Sequence, residues 1–353
     1  MDQSSVIEPL SMVWTPTGGT FRSDDVTWFA DPIASSLIAT APMRRLAGIG
    51  FLGAIDYVRH GSGRSAHRRR HNRLEHSIAV ADLANLYARS AELPESRRIL
   101  LIAAALLHDV GHGPLSHTLE AVFDERFGIN HHSMTRQIVT GETKMGQEIL
   151  DLLVEAKIDV DELLALIDGK HDGDIGFLFS GQINLDTLDG ITRCRAFMAP
   201  RAAPNSARSI VQKWATGKQL PIADFDAFWE LKHEVYNLFI GAPHGAALDA
   251  IAQVYMRSNL ALFSPDDFLL TERSFRGRHR QLFAYLNQAS RPKGLLCDQP
   301  PRDWMIQEVR RKIRSFFICK DIAPLKSESI NARYKQKKLY QTSTLGDLIG
   351  WAS

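Results

Sequence analysis

An all-α fold is what this sequence predicts, and three stretches carry that expectation. ESRRILLIAAALLHD, residues 95–109, follows Pro94 and is apolar on nearly every side, as a helix in the middle of a bundle should be. LEHSIAVADLANLYARS, residues 74–90, sets His76, Val80, Leu83 and Tyr87 at helical spacing, so His76 lies on a buried stripe. SHTLEAVFDERF, residues 116–127, opens a third helix after a Gly-His-Gly-Pro turn, with Ser116 as its N-cap and Leu119, Val122 and Phe123 facing in.

The remaining elements follow in chain order. Residues 1–27 read as a loosely structured N-terminal arm, and 28–265 as a compact helical core. Within that core, helical patterns recur in HHSMTRQIV, MGQEILDLLVEA, DVDELLALID, INLDTLDGITRCRAF and FDAFWELKHEVYNLFI. Residues 199–222 look like a loop-like interruption. From 266 to 353 the chain is more basic and broken by Pro292, Pro300 and Pro301, with RRKIR at 310–314; a mainly helical C-terminal extension is expected there.

Composition narrows the function classes. A chain of 353 residues that is 44% hydrophobic can bury one large core or two modest ones. Its net charge of +2 argues for neither a nucleic-acid nor a membrane partner in bulk. No run of ~18 apolar residues could cross a bilayer, and the first residues lack the pattern of a signal peptide. Cys194, Cys297 and Cys319 are odd in number and far apart, which fits a reducing, cytoplasmic setting.

The chemistry concentrates in four residues on three expected helices: His76, His108, Asp109 and Asp186. Helical bundles build metal sites by projecting such side chains inward from facing helices. Two imidazoles and two carboxylates form a mixed N/O set suited to Fe, Mn, Zn or Mg. Adjacent helical residues point about 100° apart, so His108 and Asp109 serve one site only if the chain turns there, as the Gly111-His112-Gly113 break allows.

Taken together, Arg73-Leu-Glu-His76, His108-Asp109-Val-Gly-His112-Gly-Pro-Leu-Ser-His117 and Asn184-Leu-Asp186-Thr-Leu-Asp189 resemble the HD-domain metal-dependent phosphohydrolases. More narrowly, with Asp31-Pro32-Ile33, the Arg44–Gly53 stretch, Phe225–Tyr236 and Ser264–Phe268, they are similar to the branch of dGTP/dNTP triphosphohydrolases over about residues 28–275. That resemblance implies an HD-type helical bundle with His76, His108, Asp109 and Asp186 as ligands of a divalent metal. It implies that Arg73 contacts phosphate, and that His112, His117, Glu120 and His131 form a catalytic ring, either His131 or His132 facing inward. Tyr236 joins the substrate side. A homo-oligomer is also implied. The expected reaction is attack of a metal-activated water on phosphorus, with His117 protonating the leaving oxygen of a nucleotide or nucleotide-like phosphate.

Three positions depart from the branch. Phe51 stands where it has glutamine, Gly190 where it has an aromatic residue, and Arg193-Cys194 where it has Arg-Asp. By resemblance these positions hold the deoxyribose, so the sugar reader is lost while the metal set is kept. Two further readings are a phosphodiesterase on a cyclic or dinucleotide substrate and a non-catalytic nucleotide-sensing module. Two basic stretches carry weaker signals: RSAHRRRHNR at 64–73, beside the site, could gather a polyanionic substrate, and RRKIR could bind nucleic acid or a nucleotide effector.

Overall fold

The computed structural model describes residues 31–58, 71–198, 207–216, 221–289, 300–322 and 327–350. The expected arm at 1–27, residues 64–70 of the first basic stretch, Pro292 and Cys297 lie outside the described residues. Seventeen α-helices and one two-stranded sheet are present among those described, so the chain is all-α in class.

Two short helices, α1 (Pro32–Ala39) and α2 (Ala41–Leu46), lead into α3 (Arg73–Ser90) and α4 (Glu95–Leu107). Asn72 starts α3 by accepting the Glu75 amide at 2.9 Å, which fixes Arg73 and His76 in its first turn. In α4 every residue from Leu100 to Leu107 is buried, as its all-round apolarity requires, and its five Leu and Ile side chains each contribute ~1.5–3 kcal/mol by burial. Pro94 is the N-cap of α4, one position before the first turn expected for it.

After α4 the chain turns tightly. Leu115 and Ser116 both adopt positive φ, 58° and 47°, a conformation L-residues rarely take, directly before α5 (His117–Phe127). Ser116 holds the N-cap position but does not cap. Its hydroxyl donates to the Gly50 carbonyl at 2.6 Å and accepts from Arg73 Nε at 3.0 Å, tying the turn to the upstream segment instead. Gly111 is needed for close approach, because a Cβ there would lie 2.3 Å from the His131 carbonyl. That contact brings α6 (His131–Val139) against the turn.

The core continues through α7 (Gln147–Glu155), α8 (Val160–Ile167), α9 (Leu185–Met198), α10 (Ala207–Thr216), α11 (Ile222–Val235) and α12 (Pro243–Ser258). The α10 helix corrects the loop expected at 199–222: Ile210, Val211 and Trp214 form a buried stripe despite Pro- and Ala-rich flanks. Next come α13 (Glu272–Arg278), α14 (Arg280–Ala289) and α15 (Arg302–Met305). The extension also holds a hairpin not foreseen: β1 (Glu308–Ile318) pairs antiparallel with β2 (Tyr334–Thr344), flanked by α16 (Ser327–Arg333) and α17 (Leu345–Ile349). RRKIR is therefore strand. Phe316 and Tyr334 dock on Trp229 of α11, at ring distances of 5.2 and 5.4 Å, and seat the hairpin on the core.

Candidate metal centre

Four elements bring the site together. His76 comes from the first turn of α3, His108 from the C-terminal end of α4, Asp109 from the turn after it, and Asp186 from the first turn of α9. Asn184 and Thr187 fix that last turn reciprocally, the Thr187 amide donating to Asn184 Oδ1 at 2.8 Å and the Asn184 amide to Thr187 Oγ1 at 3.1 Å.

The donor atoms converge. His76 Nε2 lies 3.2 Å from His108 Nε2, 3.0 Å from Asp186 Oδ1 and 3.6 Å from Asp109 Oδ2. His108 Nε2 is 3.6 Å from Asp109 Oδ1 and 3.9 Å from Asp186 Oδ1. Two imidazole nitrogens facing each other across two carboxylates is an arrangement a divalent cation fits. Burial alone would lower the His76 pKa, but its hydrogen bonds to Asp186 and Asp189 raise it to about 9. Partial burial opposes ionisation of the half-exposed Asp186, but the bond from His76 pulls its pKa down to about 2.

Three of the four ligand-type groups are braced from behind. His76 Nδ1 meets Asp189 Oδ2 at 2.6 Å, and Arg193 donates to both oxygens of Asp189 at 2.9 and 3.1 Å. His108 Nδ1 lies 2.8 Å from the Ala105 carbonyl, which turns Nε2 toward the site. Arg73 donates through Nη1 to Asp109 Oδ2 at 2.6 Å. Burial opposes ionisation of Asp109, yet the charges of His108 and Arg73 hold it well below the usual carboxylate range.

A second group sits beside the first. Glu120 accepts from His117 Nδ1 at 2.9 Å and from His131 Nδ1 at 2.7 Å, and these two bonds outweigh burial to keep its carboxyl strongly ionised. His112 stacks on His131 at 4.3 Å, and its Nε2 lies 3.3 Å from Asp109 Oδ1 without hydrogen-bond alignment. Burial, and then the Arg73 charge, push the His112 pKa far down, so that ring is neutral. His117 is 65% exposed, in contrast to His112 at 1%. Of the adjacent pair, His131 is the one that reaches Glu120.

The substrate-side expectations divide. Phe51 and Gly190 do meet at the site: a Cβ on Gly190 would lie 3.6 Å from Phe51 Cζ and 3.9 Å from Asp186 Oδ1, in ordinary contact. The Phe51 ring is 4.8 Å from the His76 ring. Arg193 does not face a substrate. It is fully buried, with Nη1 3.1 Å from His71 Nδ1 and Nη2 on the Glu75 carbonyl, and it hydrogen-bonds toward the centre through Asp189. Cys194 is buried as well, and burial pushes its thiol up to about 12. Arg73 already spends Nε, Nη1 and Nη2 on Ser116, Asp109 and Phe51, so three of its five N–H groups are bonded inside the protein. The Tyr236 hydroxyl accepts from Arg314 Nη1 at 3.0 Å. Asp189 was missing from the candidates read in the sequence, although its place one turn after Asp186, on the same face, was the available signal.

A helical bundle whose facing helices deliver two histidines and two carboxylates to one point defines a metal-site class of protein. Residues 73–215 match the HD domain family, and that stretch is similar to it. It is 32% identical over 168 residues to the uncharacterized protein YwfO of Bacillus subtilis, covering 46% of this chain and 36% of that one. It is 32% identical over 158 residues to the deoxynucleoside triphosphate triphosphohydrolase SAMHD1 of Gallus gallus, covering 41% of this chain and 24% of that one. The chain thus spans well under half the length of these relatives. Among solved structures, a hypothetical protein from Aquifex aeolicus superposes with a TM-score of 0.60 at 19% identity, over 91% of this chain and 94% of that one. A phosphohydrolase from Bacteroides thetaiotaomicron gives 0.52 at 18% identity, over 72% and 65%. At those identities the likeness shows the fold.

Proposed function

We propose that the protein is a metal-dependent phosphohydrolase acting on a nucleotide. The observation that carries this reading is the convergence of His76, His108, Asp109 and Asp186 next to a histidine ring organised on Glu120. A related sequence named as a deoxynucleoside triphosphate triphosphohydrolase supports the substrate class. When bound, a divalent metal would supply Lewis-acid polarisation of a phosphoryl oxygen and a water of lowered pKa.

The chain's own residues do the rest. His76, His108, Asp109 and Asp186 hold the cation, while Asp189 and Arg193 fix the His76 ring and its tautomer. Glu120 orients His117 through Nδ1, and the imidazolium form of that ring gives its Nε2 proton to the leaving oxygen and ends as neutral imidazole. His112 and His131, stacked behind, hold that geometry. Phe51 and Gly190 leave an apolar, open sugar side, which has no means of bonding a 3′-hydroxyl or excluding a 2′-hydroxyl. The protein therefore accepts ribonucleotides at least as well as deoxyribonucleotides.

The test is to incubate metal-loaded protein with matched ATP/dATP and GTP/dGTP pairs, monophosphates and cyclic dinucleotides, and to identify products by mass. Phosphate or triphosphate release from the nucleotides is the expected outcome. Cleavage of cyclic dinucleotides alone would establish the phosphodiesterase reading. A deoxy preference above about a hundredfold would overturn the open sugar side, because a site built to read a hydroxyl discriminates at least that strongly.

A further inference from the structure

The hairpin is the most strongly charged feature that the hydrolytic site leaves unused. The eleven residues of each strand pair from Glu308–Thr344 to Ile318–Tyr334, giving a ribbon roughly 35 Å long. It carries seven basic residues and one acid, Glu308, at its far end. Opposed residues share a face, so the register gathers Arg310, Lys312 and Arg314 of β1 with Lys338 and Tyr340 of β2 on the same side. Arg314 stands directly opposite Lys338, and like charges so placed destabilise a strand pair. Among the described residues no carboxylate lies within ion-pair distance of these four cations. Burial, then the charges of Arg314 and Lys338, lower the pKa of Lys312. A ribbon built this way gains stability from a bound polyanion.

The ring on this face narrows the choice. Tyr340 is 55% exposed and lies under the Arg310 guanidinium, whose Cζ is 4.0 Å from the ring centroid. A solvent-facing aromatic among cations is a platform on which nucleic-acid bases stack. A duplex groove is a poorer match. Phe316 and Tyr334 seat the near end of this same face on the core, and Arg311 of the other face donates to the Gly241 carbonyl at 3.3 Å, so the cationic face is open at its far end and no free ribbon can enter a groove. Edge-to-edge pairing with a second copy would crowd like charges, the device by which edge strands avoid association. The face also leads somewhere. At its docked end Arg314 bonds Tyr236, and the Asp186 carboxylate acts electrostatically on both Tyr236 and the buried Lys232.

We infer that this face, formed by Arg310, Lys312, Lys338 and Tyr340, binds single-stranded nucleic acid along the ribbon toward the metal centre. Binding requires no hydrolysis, so the inference and the proposed activity fail separately.

The experiment is fluorescence anisotropy of the full chain with a labelled oligonucleotide of about 20 nucleotides, in chelator, from low to physiological salt. Wild type is expected to bind the single strand more tightly than the matching duplex. Combined Arg310→Glu, Lys312→Glu and Lys338→Glu substitution should weaken binding by at least ~10-fold and flatten the log–log salt slope by ~2, since each phosphate contact on a single strand contributes ~0.7. Tyr340→Ala, which leaves the charges in place, should cost ~5- to 100-fold. Circular dichroism and metal content should match wild type in both variants. No binding at low salt, binding unchanged by the triple substitution, or a duplex preference unaffected by Tyr340→Ala would each overturn the inference. Full displacement by equimolar inorganic triphosphate would also overturn it, by showing a simple anion site.

Discussion

The two histidine groups of the centre are built on opposite plans. In the inner group three of the four members have a brace of their own: Asp189 and Arg193 behind His76, the Ala105 carbonyl behind His108, Arg73 on Asp109. The outer group hangs from one carboxylate, with Glu120 serving both His117 and His131, and its leading member is 65% exposed. Separate braces freeze donor atoms in place, which suits holding a cation. A shared carboxylate and an open ring leave a group free to exchange protons with what enters. The difference teaches that imidazoles as near in sequence as His108 and His117, nine residues apart, do two kinds of work.

The largest expected effect breaks the inner group. Asp186→Ala or His108→Ala should abolish phosphate release while far-ultraviolet circular dichroism keeps its helical signal. Loss of the helical signal would show that the four residues hold the fold rather than a cation. His117→Ala should lower kcat by roughly 10²–10⁴-fold, the usual contribution of a positioned acid, with little change in KM. Near-normal kcat would move the proton role to His112 or His131.

Asp189→Asn sharpens the contrast, since it removes a brace and keeps all four donors. Metal affinity should fall ~10- to 100-fold, as when the partner of a ligating histidine is lost. Titration with a competing chelator reads it, and unchanged affinity would mean that the His76 ring is fixed by packing alone.

The smallest effect lies just behind the outer group, where Asp249 accepts from Thr118 Oγ1 at 2.6 Å. Burial raises the Asp249 pKa to about 6. A carboxyl with a raised folded pKa binds its proton more tightly when folded, so this contribution is present at acid pH and is lost as pH rises from about 4 to about 6. Asp249→Asn should therefore raise Tm at neutral pH, by an amount equivalent to ~1–3 kcal/mol, and leave it unchanged near pH 4. An equal shift at both pH values would remove ionisation as the cause.

Legibility in the sequence followed the range of the interactions involved. The helices around the centre read well because their signals are local: the helical spacing of His76, Val80 and Leu83, an apolar run through Leu100–Leu107, a glycine at the Gly111 turn. Asp189 was overlooked because a carboxylate behind a ligand looks like any helical acid until His76 is seen against it. The hairpin was missed for another reason. KQKKLYQ and RRKIR lack a strict apolar alternation, and the strands form because Phe316 and Tyr334 dock on Trp229 from about a hundred residues away. Ser116 shows the same limit on a small scale, as a residue in capping position whose hydroxyl is claimed by Gly50 and Arg73.

Metal analysis tests the division of labour most directly. Wild-type, Asp186→Ala and His117→Ala proteins would be loaded with the same divalent metal, dialysed together and analysed for metal per chain. The expected result is full occupancy in wild type and His117→Ala and none in Asp186→Ala. Metal retained by Asp186→Ala, or lost from His117→Ala, would contradict the assignment of holding to the inner group and proton transfer to the outer one.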